Sequence, residues 1–453
     1  MVAHQAIRRR STLSTHRTHR VCSPVLWLVS VAAAALAACG GTSELDRSGA
    51  EASANDGANA EAQAVRAVSN VPTGFAAGVT GGAGGNTVRV STVAELKREL
   101  CRTSNGNGCT DAERRIIEVA SVIDLSDSEG SASAPGCFAT SVCTGVAQKS
   151  EITLNVQDWQ KSYCTGKPTS AYRYKVAGTT ALLMGSNKTL VGVGANAGLK
   201  GKGVILQGGV SNIIIRNLSF TDINEGMVWG GDGLSIPAAT KVWVDHNRFA
   251  RIGRQFIVLG NGDATATVDE ITLSNNELDG RSAWSARCTG NHYWNLLAYA
   301  NGRITIANNY LHHFDGRAPR FNSAGSGALV HLVNNYFETG GWHALDYEGA
   351  NTRVLMEGNH FRNVSMPVLT EATGNGQLFG VYGQTSATKA TCIAAIGRPC
   401  NPNIASPAPT ADKLVQDSAV PAAFKPLAGG LIKPISANDV PDTVKAHAGV
   451  GKI

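Results

Sequence analysis

Six short runs in the middle of the chain share one pattern: IIIRNLSF, KVWVDHNRF, EITLSNNEL, RITIANNYL, LVHLVNNYF and VLMEGNHF. Each is a short alternating strand, then often asparagine, then a polar step and a large apolar residue. The closing residues are Phe220, Phe249, Leu278, Leu311, Phe337 and Phe361, spaced 29, 29, 33, 26 and 24 residues apart. A strand-sized unit at that period, with loops of varying length, predicts the coils of a parallel β-helix. The asparagines suit such coils twice, because they tolerate left-handed turns and because stacked amides form a hydrogen-bonded ladder. A β-propeller or a sandwich would need hairpin-linked strands with two-residue turns, and these are missing. The expected fold class is therefore all-β, with residues 71–453 as one domain. VAELKREL (Val93–Leu100) predicts a helix capping the open end of the solenoid. The Pro- and Ala-rich tail after Cys400 predicts irregular coil packed against the coils.

The N-terminal part belongs to a different class of sequence. Residues 1–38 carry Arg8, Arg9, Arg10, Arg17 and Arg20 without one acid, then an apolar run too short to span a bilayer comfortably. That is the form of a bacterial secretion signal. Leu36-Ala37-Ala38-Cys39 resembles a lipobox, which implies lipidation of Cys39; an ordinary cleavage site that happens to lie near a cysteine is the alternative. Residues 39–70 hold almost no bulky apolar side chains and predict a flexible tether. The formal net charge of +6 includes five positive charges in residues 1–38, which leaves +1 for the remainder. Nothing in that balance calls for nucleic acid or a strongly acidic partner. Contact with a membrane is expected only through the lipid anchor, in the cell envelope of a bacterium or outside it. Eight cysteines remain after Cys22 and Cys39, an even number that in an exported chain reads as four disulfides. No CxxC pair with nearby histidines points to a metal.

Three segments beside the repeat carry the chemistry. WGGDGLSI (Trp229–Ile236) supplies Asp232, ARIGRQFIVLG (Ala250–Gly260) supplies Arg254, and LHHFDGRAPRFN (Leu311–Asn322) supplies Arg317 and Arg320. Arg254 lies five residues past Phe249 and Arg317 six past Leu311, so they occupy equivalent points two coils apart. At about 4.8 Å per strand that is roughly 10 Å, room for one sugar residue. Asp232 falls one coil before Arg254.

These segments, with GFAAGVTGGAGG (Gly74–Gly85), VWVDHNRFARIGRQFIVLG and DGRSAWSARCTGNHYW (Asp279–Trp294), resemble the pectin lyases. That family belongs to the pectate/pectin lyase superfamily of right-handed single-stranded parallel β-helices. The resemblance runs from about Gly74 to Cys400, with an insertion around Cys101 to Cys109. It implies β-elimination: a base takes the C5 proton of a galacturonate, O4 leaves, and charge builds on the carboxyl group. Pectate lyases act on the free acid with calcium held by aspartates. Pectin lyases act on the methyl ester, with a fixed arginine where the metal would be.

Where the calcium enzymes carry an acidic pair resembling DGLLD, this chain reads Arg254-Gln255-Phe256-Ile257-Val258. Position 322, an arginine in the calcium enzymes, is Asn322. The resemblance thus implies Arg317 as base, Arg254 in place of the cation, Asp232 orienting Arg254, and Arg320 where lysine is usual. No metal or other cofactor is expected. Trp229, Tyr293 and Trp294 match cleft aromatics of the family, and Trp159 and Trp284 lie near further ones. Thr140 and Leu297 depart from the pattern. Trp243 is expected in the core, Asp245 and His246 in a structural role, and His312 and His313 on the surface or in a loop.

The family spacings imply the disulfides Cys137–Cys164, Cys143–Cys288 and Cys392–Cys400, and the two left over, Cys101 and Cys109, are close in sequence. The implied substrate is methyl-esterified homogalacturonan, cut within the chain by a monomeric enzyme. A calcium-dependent pectate lyase and a non-catalytic polysaccharide binder are the alternatives.

Overall fold

Each repeat copy builds one corner of a coil of β-strands. In KVWVDHNRF, Ala239–Asp245 is one strand, His246 and Asn247 turn the chain, and Arg248–Ile252 is the next. A second turn leads to a third strand, Ile257–Leu259, and a loop returns the chain to the next coil at Val268. The computed structural model describes residues 70–139, 142–263, 265–322, 327–348, 351–369, 377–409, 412 and 414–453. The leader, Cys39, the tether up to residue 69 and Thr140 lie outside the described residues.

Equivalent strands pair in parallel and form three sheets. The first has ten strands, from Asn86–Val90 to Gln377–Phe379. The second runs from Val122–Asp124 through Arg248–Ile252 to Ile404–Ser406. The third runs from Leu182–Leu183 through Ile257–Leu259 to Arg320–Asn322. The second and third merge in one strand, Tyr336–Glu348, which pairs with both.

In the second sheet Phe220, Phe249, Leu278, Leu311, Phe337 and Phe361 are successive register partners, all buried. The repeat period is therefore the coil. Apolar residues stack on like residues because one position recurs at every turn, and the rings of Phe337 and Phe361 lie 4.5 Å apart, stacked and nearly parallel.

The asparagines divide their two tasks between neighbours. Asn247, Asn276, Asn309, Asn335, Asn359 and Asn403 form an amide ladder in which each Nδ2 donates to the next Oδ1 at 2.9–3.1 Å. The residue before a ladder asparagine takes the left-handed conformation, as at His246, Asn275, Asn308, Asn334 and Gly358. In the Asn-Asn pairs the first residue turns the chain and the second bonds along it.

The helix Val93–Leu100 forms as expected, with Thr92 and Glu95 as a capping box. Its Leu96 and Leu100 close one end of the core. The tail corrects the expectation of irregular coil. Asn403 ends the ladder, Ile404–Ser406 adds a strand to the second sheet, and helices form at Ala419–Phe424 and Val440–His447. Val440 and Val444 pack on Tyr336, and Gly451 N–H bonds back to Asn217. The alanines and valines that looked featureless have an apolar sheet face to cover.

His312 and His313 need a second correction, since both lie in the strand Tyr310–Phe314 and His312 is buried. The His312 ring stacks on Tyr310, 4.3 Å away, which itself packs beside the C-terminal helix. A four-stranded sheet outside the coils was also not foreseen: Met227–Val228, Ile152–Leu154, Ser131–Phe138 and Ser170–Lys175.

Trp243 and the Asp245–His246 pair are buried. Asp245 accepts hydrogen bonds from Arg216, Ser274 and Asn275, and its carboxylate contacts the His246 ring, so it braces neighbouring coils.

Candidate active site

One kind of turn, between the second and third sheets, supplies the site residues from successive coils. Trp229 and Asp232 come from one coil, Arg254 from the next, Tyr293 and Trp294 from the third and Arg317 from the fourth. Backbone hydrogen bonds hold these turns in register: Arg254 N–H to Gly231 O, Phe256 N–H to Trp294 O, and Leu296 N–H to Arg317 O. Arg254 and Arg317 precede Ile257–Leu259 and Arg320–Asn322, with Leu296–Ala298 between those strands. Their separation of two coils agrees with the repeat arithmetic. They open on a cleft of about 620 Å³ lined by Trp159, Trp229, Asp232, Arg254, Trp294 and Arg317 among others.

Asp232 uses both carboxylate oxygens on the Arg254 segment. Oδ2 accepts from Arg254 Nη1 at 3.1 Å and Oδ1 from the Gln255 N–H at 2.9 Å. The Arg254 guanidinium lies 4.1 Å over the Trp229 ring, which fixes its other face. On the floor of the cleft Ser235, Val258 and Leu297 are successive register partners, and Leu297 pairs in turn with Arg320, which is not among the lining residues. A calcium ion held by carboxylates at positions 254 and 258 therefore does not fit these residues: Asp232 is occupied by an arginine and its neighbours on the floor are Ser235, Val258 and Leu297. Among the described residues, the one group of three acids and histidines close enough to share an ion is Glu277, Asp279 and His312 on the second sheet. There Arg248 and Arg281 already bridge Asp279.

Arg317 is held differently. No carboxylate bridges it among the described residues, its Nε has no hydrogen-bond partner there, and its guanidinium lies 4.5 Å from the Trp294 ring centre and 5.8 Å from that of Tyr293. Burial pushes its pKa down, and the charges of Arg320 and Arg254 act in the same direction. Burial also works to lower Arg320, but Asp346 and Glu348 outweigh it and the net shift is upward. Arg320 Nη2 donates to Glu348 at 2.7 Å, and Asn322 donates to the same oxygen at 3.2 Å. Of two arginines three residues apart, one is a paired cation and the other a cation made easier to deprotonate.

The turn that presents Arg317 depends on a glycine. A Cβ on Gly316 would fall 2.5 Å from the Tyr293 ring, so only glycine lets the aromatic close over this turn. Asn295 donates to Gly316 O at 2.9 Å and pins it from the coil before.

Trp159 and Trp229 meet edge to face at 4.7 Å, and Tyr163 completes the group at 5.5 Å from Trp229. Trp284 is not among the residues lining this cleft. It lies over Gly226, with Lys149 Nζ 5.3 Å from its ring.

The structure joins Cys101–Cys109, Cys137–Cys164, Cys143–Cys288 and Cys392–Cys400. Cys137–Cys164 braces the wall that carries Trp159, and Cys143–Cys288 ties that wall to the segment leading to Tyr293 and Trp294.

Several residues beside the site were missed. Tyr163 and Tyr299 line the cleft. Trp342 stacks on Tyr293 at 6.3 Å, and buried His343 adjoins both rings. His292 Nε2 lies 2.8 Å from Arg254 O and 3.0 Å from Trp294 O, which ties the two site turns together. His292 stood inside a motif already singled out. Trp342 and His343 follow the fifth repeat copy with no loop, and their pattern reads as plain strand.

A family model described as pectate lyase matches residues 161–453. "Probable pectin lyase E" of Aspergillus fumigatus is 38% identical over 394 residues, covering 85% of this chain and 96% of the relative. "Probable pectin lyase F" of Aspergillus niger is 37% identical over 399 residues, covering 87% and 77%. Among solved structures, a thermostable pectate lyase superposes with a TM-score of 0.52 at 18% identity, covering 86% of this chain and 99% of that one. That likeness bears on the fold, a right-handed parallel β-helix. By the family model and by the extent of both curated relatives, this chain belongs to the pectate lyase family of polysaccharide lyases.

Proposed function

We propose that the protein is a pectin lyase that cleaves methyl-esterified homogalacturonan within the chain by β-elimination, without calcium. The observation that carries this reading is the pairing of Arg254 with Asp232 in the cleft, where a calcium-dependent enzyme would need bare carboxylates. In the proposed step neutral Arg317 takes the C5 proton. The C5–H electron pair forms the C4–C5 double bond, the C4–O4 bond breaks, and O4 leaves with its pair and takes a proton from water to become a hydroxyl, while Arg317 returns the C5 proton to solvent. Negative charge gathers transiently on the ester carbonyl, and Arg254 opposes it with a charge that needs no ion.

Arginine is a demanding base. With a pKa above about 12, neutralising it near pH 8 costs about 6 kcal/mol. Burial of Arg317 and the like charges beside it reduce that cost, and a bound sugar that excludes water reduces it further. The aromatic lining by Trp229, Trp159 and Trp294 suits a chain with few free carboxylates. Arg320 is assigned to substrate positioning through its charge, and Trp284 to the periphery.

Activity on highly esterified pectin and on polygalacturonate, each with and without EDTA, tests the reading. Turnover of the ester unaffected by EDTA, with polygalacturonate a poor substrate, is expected. Loss in EDTA with recovery in calcium would place the protein with the calcium-dependent lyases, and binding without turnover would make it a polysaccharide binder. The leader carries a separate proposal: a monomer anchored at the bacterial envelope through lipid on Cys39, checked by labelled fatty-acid incorporation and its loss in Cys39→Ser.

A further inference from the structure

Glu151 is a buried carboxyl with no basic residue in salt-bridge range among the described residues, and the mechanism above does not use it. It sits just before Ile152–Leu154, in the wall outside the coils. Its backbone carbonyl is fixed by the Ala139 N–H at 2.8 Å. Its Oε2 accepts a hydrogen bond from Trp294 Nε1 at 2.9 Å. The ring so held is the one 4.5 Å from the Arg317 guanidinium. The other acid near it is Asp315, also buried and held by Thr289 and Asn291. Burial, opposed by the Trp294 hydrogen bond and reinforced by the Asp315 charge, pushes the Glu151 carboxyl up to about 7.

A carboxyl without a cation would be replaced by an apolar side chain at little cost if packing were its only task. It has one evident partner, and that partner is a cleft aromatic. An indole has a single N–H, so the acceptor it faces sets the ring's rotation. Among the described residues no carboxylate orients Arg317, so the Trp294 and Tyr293 faces do so instead. The line of support runs from the outer wall through Glu151 and Trp294 to the guanidinium.

We propose that Glu151 is a positioning residue: by holding Trp294 Nε1–H it sets the plane on which the Arg317 guanidinium lies, and so its aim at the sugar C5. The inference rests on Arg317 acting as the base. Glutamine at 151 keeps an acceptor oxygen and leucine does not. E151Q is expected to keep kcat within about threefold, and E151L to lose on the order of 10²-fold in kcat, as for a misplacement near 1 Å, with KM changed much less.

W294F keeps an aromatic face but has no N–H, and should show a kcat loss of the same order. E151L added to W294F should cost nothing more, since the contact is already gone. Near-normal kcat in E151L or in W294F, additive losses in the double variant, or equal losses in E151Q and E151L would each overturn the proposal. If E151L does not fold, E151A takes its place in the comparison with E151Q, and the same outcomes decide. Wild type active on esterified pectin, R317K inactive and E151L normal would remove Glu151 while leaving the base in place. An active R317K would remove the base itself.

Discussion

Two corners of the same solenoid treat polar groups in opposite ways. At the corner between the first and second sheets, every ladder amide from Asn247 to Asn359 passes a hydrogen bond to the next. The left-handed positions there fall mostly on asparagine and on Gly358, which adopt that conformation at little cost. At the corner between the second and third sheets, left-handed conformations fall on Trp229, Cys288 and Arg317 as well as on Asn224, Gly226, Gly231 and Gly290. Such backbone costs of order 1–3 kcal/mol for each non-glycine residue. Trp229 Nε1 and Arg317 Nε are also buried without a hydrogen-bond partner among the described residues. The ladder amides are satisfied within the protein, although His246 Nε2 beside them has no partner among the described residues. The cleft corner places left-handed backbone and unpartnered buried nitrogens on the two residues that face the cleft, Trp229 and Arg317.

If that contrast is right, substitutions at the two corners should separate activity from stability. The largest effect is expected for Arg317→Lys, which keeps the charge but replaces a planar fork with a compact ammonium. Turnover should fall on the order of 10²–10⁴-fold with melting little changed, and near-normal kcat would remove Arg317 from the base role. Arg254→Ala comes next. A loss of about 2.7–4 kcal/mol in transition-state stabilisation is expected, mostly in kcat. Added calcium should not restore it, because Val258 supplies no ligand. Recovery in calcium would show that the cleft can hold the ion after all.

Asn309→Ala probes the other corner. It removes bonds to Asn276, Asn335, Leu273 and Ala307 and strands their partners in the core. About 3 kcal/mol of stability should go, read by urea unfolding, with kcat of the folded enzyme unchanged. A kcat loss matching that of Arg254→Ala would erase the distinction between the corners.

The most gradual effect, spread over pH, concerns His292, which burial holds down at about 4. The unfolded chain takes up that proton near pH 6.5, well before the folded one does, so the contribution to stability is present above pH 6.5 and is lost as pH falls through 4. Each pH unit in that window costs at most about 1.4 kcal/mol. In His292→Gln the melting temperature should fall less steeply between pH 6.5 and 4. A parallel pH profile would assign the acid sensitivity to other groups, buried His343 among them.

The ladder corner was legible in the sequence because a coil repeats its environment. The same position meets the same neighbours each turn, so Phe220 to Phe361 and the asparagines recur at a period that can be counted. The arginines of the cleft were legible through that same count and through the motifs around them. Trp342, Tyr163 and Glu151 were not. Trp342 follows a repeat copy without interruption, and the other two belong to a wall built from residues 131–175, where no repeat operates. The tail misled for a similar reason, since its short helices are stabilised by the sheet faces they cover more than by their own pattern.

Local chemistry and periodicity therefore determined the coil, the ladder, the capped helix and the spacing of Arg254 and Arg317, since each depends on neighbours a fixed number of residues away. Tertiary structure alone decided that Arg317 meets Trp294 and, among the described residues, no bridging carboxylate, and that Glu151 reaches the same indole from 143 residues away. Those outcomes depend on which groups share a low-dielectric cleft. Burial and charge act there through space, and the order of residues along the chain does not encode that distance.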